Sequence, residues 1–189
     1  MIFLFKIDQY KMFFFPFKKE KMSLNKNPWL SYLNSLGLTA DQQNDLQNLL
    51  NKSLFSDELI RILIYGDGCN GKSVFINILS KALTSSMKRV STSILEGRRS
   101  LYITDDDNYD HFFGKINYIS VEKEENVLTV INEKHKTKCF IVISNELPEN
   151  VYDFHVIHFN SKFKNSEIFD EDIYVHYVLP WISDATPLW

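Results

Sequence analysis

The sequence predicts a three-layer α/β domain built on a parallel sheet and preceded by a small helical region. Three observations carry the prediction. Leu59 to Tyr65 is an almost unbroken apolar run, the pattern of a strand buried on both faces. It leads directly into a glycine-rich stretch, Gly66 to Ser73, after which Lys72 to Leu83 places Phe75, Ile78, Leu79 and Leu83 at helical spacing. Beyond it, short apolar runs alternate with more polar segments, as strands and helices alternate in α/β proteins.

With 189 residues, 44% of them hydrophobic and 24% charged, the chain fits one globular domain with a full core. The formal net charge of -3 provides no global basic field, so a nucleic-acid contact requires a local patch. The two cysteines, Cys69 in the glycine stretch and Cys139 before an apolar run, are not placed as a disulfide framework. They point to a reducing compartment inside the cell rather than to secretion.

The elements follow in order. Residues 1–25 carry Met1 to Phe5 and Phe13 to Phe17, but Lys6, Asp8 and Lys11 interrupt the apolar run well short of the roughly 18 residues a spanning helix needs. They read as a poorly ordered leader, with Met12 and Met22 as alternative starts and a membrane-surface or packing role as the other reading. Residues 26–56 form the helical region: the pattern is helical from Pro28 to about Lys52, and Thr39 with Gln42 three residues on forms a capping box ahead of Leu46, Leu49 and Leu50. Residues 57–163 form the core, with further strands expected at Arg89–Leu95, Leu101–Thr104, Ile116–Val121, Cys139–Ser144 and His155–Phe159. Residues 164–189 read as an aromatic tail ending in Pro180-Trp181 and Leu188-Trp189, suited to packing or a subunit contact.

Gly66-Asp67-Gly68-Cys69-Asn70-Gly71-Lys72-Ser73 matches the pattern of Gly, four residues, then Gly-Lys-Ser, the P-loop of nucleoside-triphosphate sites. Its glycines let successive backbone N–H groups turn inward around phosphates, and the following helix adds its positive N-terminal end. Lys72 is expected on the β- and γ-phosphates, and the Ser73 hydroxyl on Mg²⁺, with ATP as the nucleotide. A P-loop ATPase also needs an acid at the end of a neighbouring strand to hold the metal through water and orient the attacking water. Two candidates compete: Glu122 after Ile116–Val121, and Asp106 in Leu101-Tyr102-Ile103-Thr104-Asp105-Asp106. Asn145, at the tip of the Cys139–Ser144 run and two residues before Leu147-Pro148, offers a donor and an acceptor to sense the γ-phosphate. His111, His135, His155, His158 and His176 show no metal-ligand spacing with the cysteines, so no zinc site is assigned.

Tyr65 to Ser73 together with Ile143-Ser144-Asn145-Glu146-Leu147-Pro148 resembles the superfamily 3 helicases, especially the poxvirus-type primase-helicases of large DNA viruses and phages. Arg89 to Leu95 through Arg98-Arg99-Ser100 resembles the segment after the P-loop helix in that family, and Gly114-Lys115-Ile116 to Glu122 resembles its metal-acid strand, which favours Glu122 over Asp106. The likeness covers roughly Leu54 to Phe163. It implies an AAA+-like core that assembles as a homo-oligomeric ring of hexamer type and moves along single-stranded DNA using ATP, with a primase or a full-length helicase as a partner. It also implies work at an intracellular site of viral or mobile-element DNA replication.

Two departures from the family stand out. Its pair of arginines, one of which reaches a neighbour's ATP, falls here at about Tyr152 and Asp153, and no arginine follows Arg99. If Glu122 is the metal acid, only Lys123 to Lys138 separates it from the next strand, which is short for the family's DNA-contacting hairpin. The basic cluster Lys134-His135-Lys136-Thr137-Lys138 is then the remaining candidate for a DNA contact. If Asp106 is the acid, Ile119 to Val130 is expected to form the hairpin. The alternative function, from a different class, is a non-catalytic nucleotide-binding or ring-assembly subunit that partners a complete helicase.

Overall fold

The computed structural model describes residues 27–95, 113–121, 126–135, 138–163 and 170–185. Two helices lead in. Helix α1, Pro28–Ser35, starts on an Asn27 side-chain cap with proline in its first turn. Helix α2, Ala40–Phe55, starts on the expected capping box, in which Thr39 Oγ1 accepts from Gln42 N and Gln42 Oε1 accepts from Thr39 N. Strand β1, Arg61–Tyr65, then enters the sheet and is followed by helix α3, Lys72–Ala82.

The remaining elements are β2 (Met87–Arg89), α4 (Thr92–Leu95), β3 (Ile116–Val121), α5 (Val127–Lys134), β4 (Cys139–Ser144), β5 (His155–His158) and α6 (Glu171–Ser183). The five strands lie in the order β2-β3-β4-β1-β5, and every described pairing is parallel. Strand β4 is thus inserted between β1 and β3, and all carboxyl ends share one edge. Because side chains alternate across a strand, Ile62, Ile64, Ile141 and Ile143 join α1, α2, α3 and α6 on one face. Leu63, Phe140, Val142 and Ile119 join Val127, Leu128 and Ile131 of α5 on the other. Helices on both faces of the sheet give three layers.

Several expectations need correction. Arg89–Leu95 is not a strand: β2 ends at Arg89, and Thr92–Leu95 turns into a short helix. Ser91 explains the change, since its Oγ and carbonyl take the N–H groups of Ile94 and Leu95 at 3.4 and 3.1 Å, a local bonding option that outweighs the β-branched residues. Ile119–Val130 does not form a hairpin. Ile119–Val121 ends β3, and Val127, Leu128 and Ile131 bury one side of helix α5.

The segment read as an aromatic tail contains α6, which docks onto α1, α2 and α3. Trp181 meets Trp29 edge-on at 5.6 Å, and Lys81 pairs with Glu171 and Asp172 at 3.0 and 2.9 Å. Trp29 is fully buried and also stacks on Phe75 of α3 at 5.8 Å, so the helical region and α6 share one core with the sheet. Leu101–Thr104 and the leader lie outside the described residues. No helix among the described residues is long and apolar enough to cross a membrane.

Candidate functional site

Strand β1 delivers the chain to the carboxyl edge of the sheet, where ligands of open α/β sheets bind. The turn from there into α3 uses left-handed backbone at Gly66 (φ 146°), Cys69 (φ 61°) and Gly71 (φ 89°). At Gly71 the glycine is required twice over: a Cβ would also sit 2.6 Å from Leu36 Cδ2 and 2.8 Å from Phe163 Cε2. At Gly66 a Cβ would collide with Asn70 Nδ2 and the Phe159 carbonyl.

Gly66, Asn70 and Lys72 are buried, while Asp67, Gly68 and Cys69 form an exposed rim. The Lys72 ammonium donates to the Gly66 carbonyl, to the Asp67 carbonyl at 3.0 Å and to Asn70 Oδ1 at 2.9 Å. Burial lowers its pKa from the ordinary lysine value, opposed by the nearby Asp67 and Cys69. Gly71, the N-cap of α3, has no side chain to cap the helix; Lys72 N donates to Asn70 Oδ1 at 3.4 Å, and the N–H groups that follow it, with the positive end of the dipole, open into the same turn. Ser73 lies exposed one residue further on.

Several contacts that hold this loop are invisible to motif reading. Asn70 Nδ2 donates to the Phe159 carbonyl at 3.0 Å, Ser161 Oγ to the Asn70 carbonyl at 3.2 Å, and Phe163 N to the Cys69 carbonyl at 2.8 Å. Tyr32 of α1 donates its hydroxyl to the Gly71 carbonyl at 3.1 Å. Burial, then the neighbouring Tyr174 and Glu171, push the Tyr32 phenol well above its ordinary pKa of 10.0. Residues 39 to 94 positions apart make these bonds, so no local spacing announces them.

The other candidates fall on both edges. The register sets Val121, Ser144 and Tyr65 in one row across β3, β4 and β1. Asn145, exposed, and Gly66 each follow a member of that row, on adjacent strands about 5 Å apart. Glu122 follows Val121 in sequence, but Glu122, Asp105 and Asp106 all lie outside the described residues. Among the described residues no group of three His, Cys, Asp or Glu side chains is gathered to hold a metal.

At the opposite, amino edge of the sheet, Lys134 ends α5 and Lys138 precedes β4, its ammonium 5.7 Å from the centre of the Phe113 ring; Lys136 and Thr137 lie outside the described residues. Lys134 and Lys138 are therefore at the far end of the sheet from the glycine loop. Tyr152 and Asp153 precede β5 and so also belong to the amino edge. Tyr152 is 90% exposed, and the Asp153 carboxylate lies 4.0 Å from Arg61 Nη1.

No protein-family model matches the sequence, and no curated protein matches it. Among solved structures, the chain is similar to the A-form apo structure of the NrS-1 C-terminal region, with a TM-score of 0.54 and 17% identity over 81% of this chain and 42% of that one. A second apo structure of the same region, residues 305–718, gives a TM-score of 0.52 at 17% identity, and an A-form structure of it gives 0.52 at 20%. The chain spans less than half the length of these structures, and at such identities the shared property is the α/β fold.

Proposed function

We propose that the chain binds a Mg²⁺-nucleoside triphosphate, ATP, at Gly66 to Ser73 and hydrolyses it, as a reduced ATPase of the superfamily 3 helicase type acting in viral or mobile-element DNA replication. The observation that carries the reading is the buried Lys72 ammonium at the mouth of a left-handed glycine turn, beside the N-terminal end of α3. That arrangement gathers one cation and several backbone N–H groups at a single point, which is what a polyphosphate requires.

In this reading Lys72 binds the β- and γ-phosphates and leaves its bonds to the loop carbonyls, while Ser73 and Glu122, or Asp106, hold the metal. The metal, when bound, neutralises charge on the β- and γ-phosphate oxygens. Asn145 and the acid orient a water whose oxygen attacks the γ-phosphorus as the bond to the β-phosphate bridging oxygen breaks; the water's proton passes to the acid, and ADP leaves. Asn145 suits this role because the register brings it to the strand edge adjoining Gly66.

The amino-edge position of Tyr152 and Asp153 supports the second reading, a non-catalytic nucleotide-binding or ring-assembly subunit. No arginine stands in that segment to meet a neighbour's γ-phosphate. Steady-state ATP hydrolysis with and without single-stranded DNA, in parent and Lys72→Ala, separates the readings. Binding with turnover, both lost in Lys72→Ala, supports the ATPase. Binding without turnover supports the subunit, and undiminished ATP binding by Lys72→Ala overturns the site itself.

A further inference from the structure

We propose that Lys162 is a second phosphate-binding cation of this site, delivered by the same chain from the segment that follows β5. The inference rests on the nucleotide reading above. Residues 159–163 form a strap across the glycine loop. Phe159 N donates to the Tyr65 carbonyl at 2.9 Å, and the two residues flanking Lys162 are each tied to the loop, Ser161 through Asn70 and Phe163 through Cys69. From the other side, Gly37 between α1 and α2 packs on the strap so closely that a Cβ there would sit 3.3 Å from the backbone of Asn160 and Ser161. The Lys162 backbone is therefore fixed over the rim.

Its side chain is not. Lys162 Nζ lies 4.0 Å from the Asp67 carboxylate, and both side chains are 82% exposed. An ion pair so open to water is weakly held, and a flexible lysine stem leaves it readily for a stronger anion. The position of Asp67 says which part of a nucleotide Lys162 meets. The Asp67 carbonyl accepts from Lys72 Nζ, so Asp67, Lys72 and Lys162 converge on one end of the loop, the end where a P-loop lysine meets the β- and γ-phosphates. A triphosphate there presents several negative charges against one carboxylate. Lys162 then exchanges Asp67 for the terminal phosphate and adds a cation that the eight-residue motif does not contain.

The test is calorimetric binding of Mg-ATP and Mg-ADP to the full chain, in parent, Lys162→Met, Lys162→Arg, Asp67→Asn and the Asp67→Asn/Lys162→Met pair. Removing a charge-assisted contact to the terminal phosphate is expected to weaken ATP about tenfold and ADP less than about threefold, with Lys162→Arg close to parent. The loss should persist in the Asp67→Asn background. Equal losses for ATP and ADP, unchanged ATP affinity, or a loss that vanishes once Asp67 is neutral would each overturn the proposal, the last by showing that Lys162 only screens Asp67. A parent that binds no ATP would overturn the nucleotide reading itself, a result distinct from normal ATP binding that is indifferent to Lys162.

Discussion

Arg61, the first residue of β1, lies against Asp153, with Nη1 4.0 Å from the carboxylate and 2.6 Å from Asn132 Oδ1. Sequence order hides this relationship, because it places no arginine near Tyr152 and Asp153. The guanidinium is mostly buried, at 11% exposure, whereas Asp153 is 63% exposed. Two substitutions that look equivalent in sequence therefore differ. Tyr152→Arg adds a cation at a fully accessible position, and with assembly verified it should raise ATP turnover if a neighbour's γ-phosphate lies within reach, because arginine stabilises the charge of the transferring phosphoryl group. Asn145→Ala should remove that gain. Asp153→Arg instead sets two guanidinium groups against each other and should lower the melting temperature, with the loss partly recovered in Arg61→Met/Asp153→Arg. An increase in turnover from Asp153→Arg at unchanged stability would refute the placement of Arg61.

Gly71→Ala combines a left-handed backbone with two close carbon contacts, at 2.6 and 2.8 Å. Such strain costs about 1–3 kcal/mol, and relief requires Leu36 and Phe163 to move. The expected outcome is a lower denaturant midpoint and loss of nucleotide binding. Gly68→Ala, with nothing within 4 Å of its added carbon, should leave stability near that of the parent.

Tyr32 gives a pH signature. Its folded pKa is raised above the ordinary 10.0, mainly by burial, so the unfolded chain releases the phenolic proton first as the pH climbs. The stability that Tyr32 contributes is fully present below pH 10 and declines above it, by up to about 1.4 kcal/mol per pH unit. Tyr32→Phe should lose about 1 kcal/mol near neutral pH with its bond to Gly71, and should show a shallower alkaline decline in melts taken between pH 9 and 11. Parallel curves for parent and variant would count against the burial of this phenol.

Cys69 sits in left-handed backbone on the exposed rim of the loop. A bulky thiol reagent should react there, block ATP binding, and be slowed by ATP. Cys139 is buried and should react only on unfolding. Labelling at a rate indifferent to ATP would separate the rim from the nucleotide.

What the sequence made legible is local. Leu59 to Tyr65 read as a buried strand because only Arg61 interrupts its apolar run, the glycine turn because its spacing is tied to its geometry, and α2 because Thr39 and Gln42 sit three residues apart. Strand order, α6 and the strap were not legible. Helix α6 has Pro180 inside it and presents Val178, Trp181 and Ile182 to the core near its end, a pattern too short and too broken to separate from a tail. Gln47 and Asn51 of α2 settle its place by donating to the carbonyls of Trp181 and Ile182, more than 130 residues away. Arg89 to Leu95 misled because β-branched residues suit a strand, while a serine supplied the bonds for a turn.

The bond from Asn70 to Phe159 spans 89 residues, and β1 pairs with β4 and β5, both of which come late in the chain. During synthesis the glycine loop is thus made early but shaped late. At ribosomal rates, on the order of ten seconds pass between its appearance and the arrival of the carbonyl that holds it, and until β4 is made an apolar strand has neither neighbour in place. A nascent chain stopped between β4 and β5 carries the full eight-residue motif without its geometry. Such a product should be prone to aggregation, and the site should be gained in one step, on emergence of the strap, rather than residue by residue.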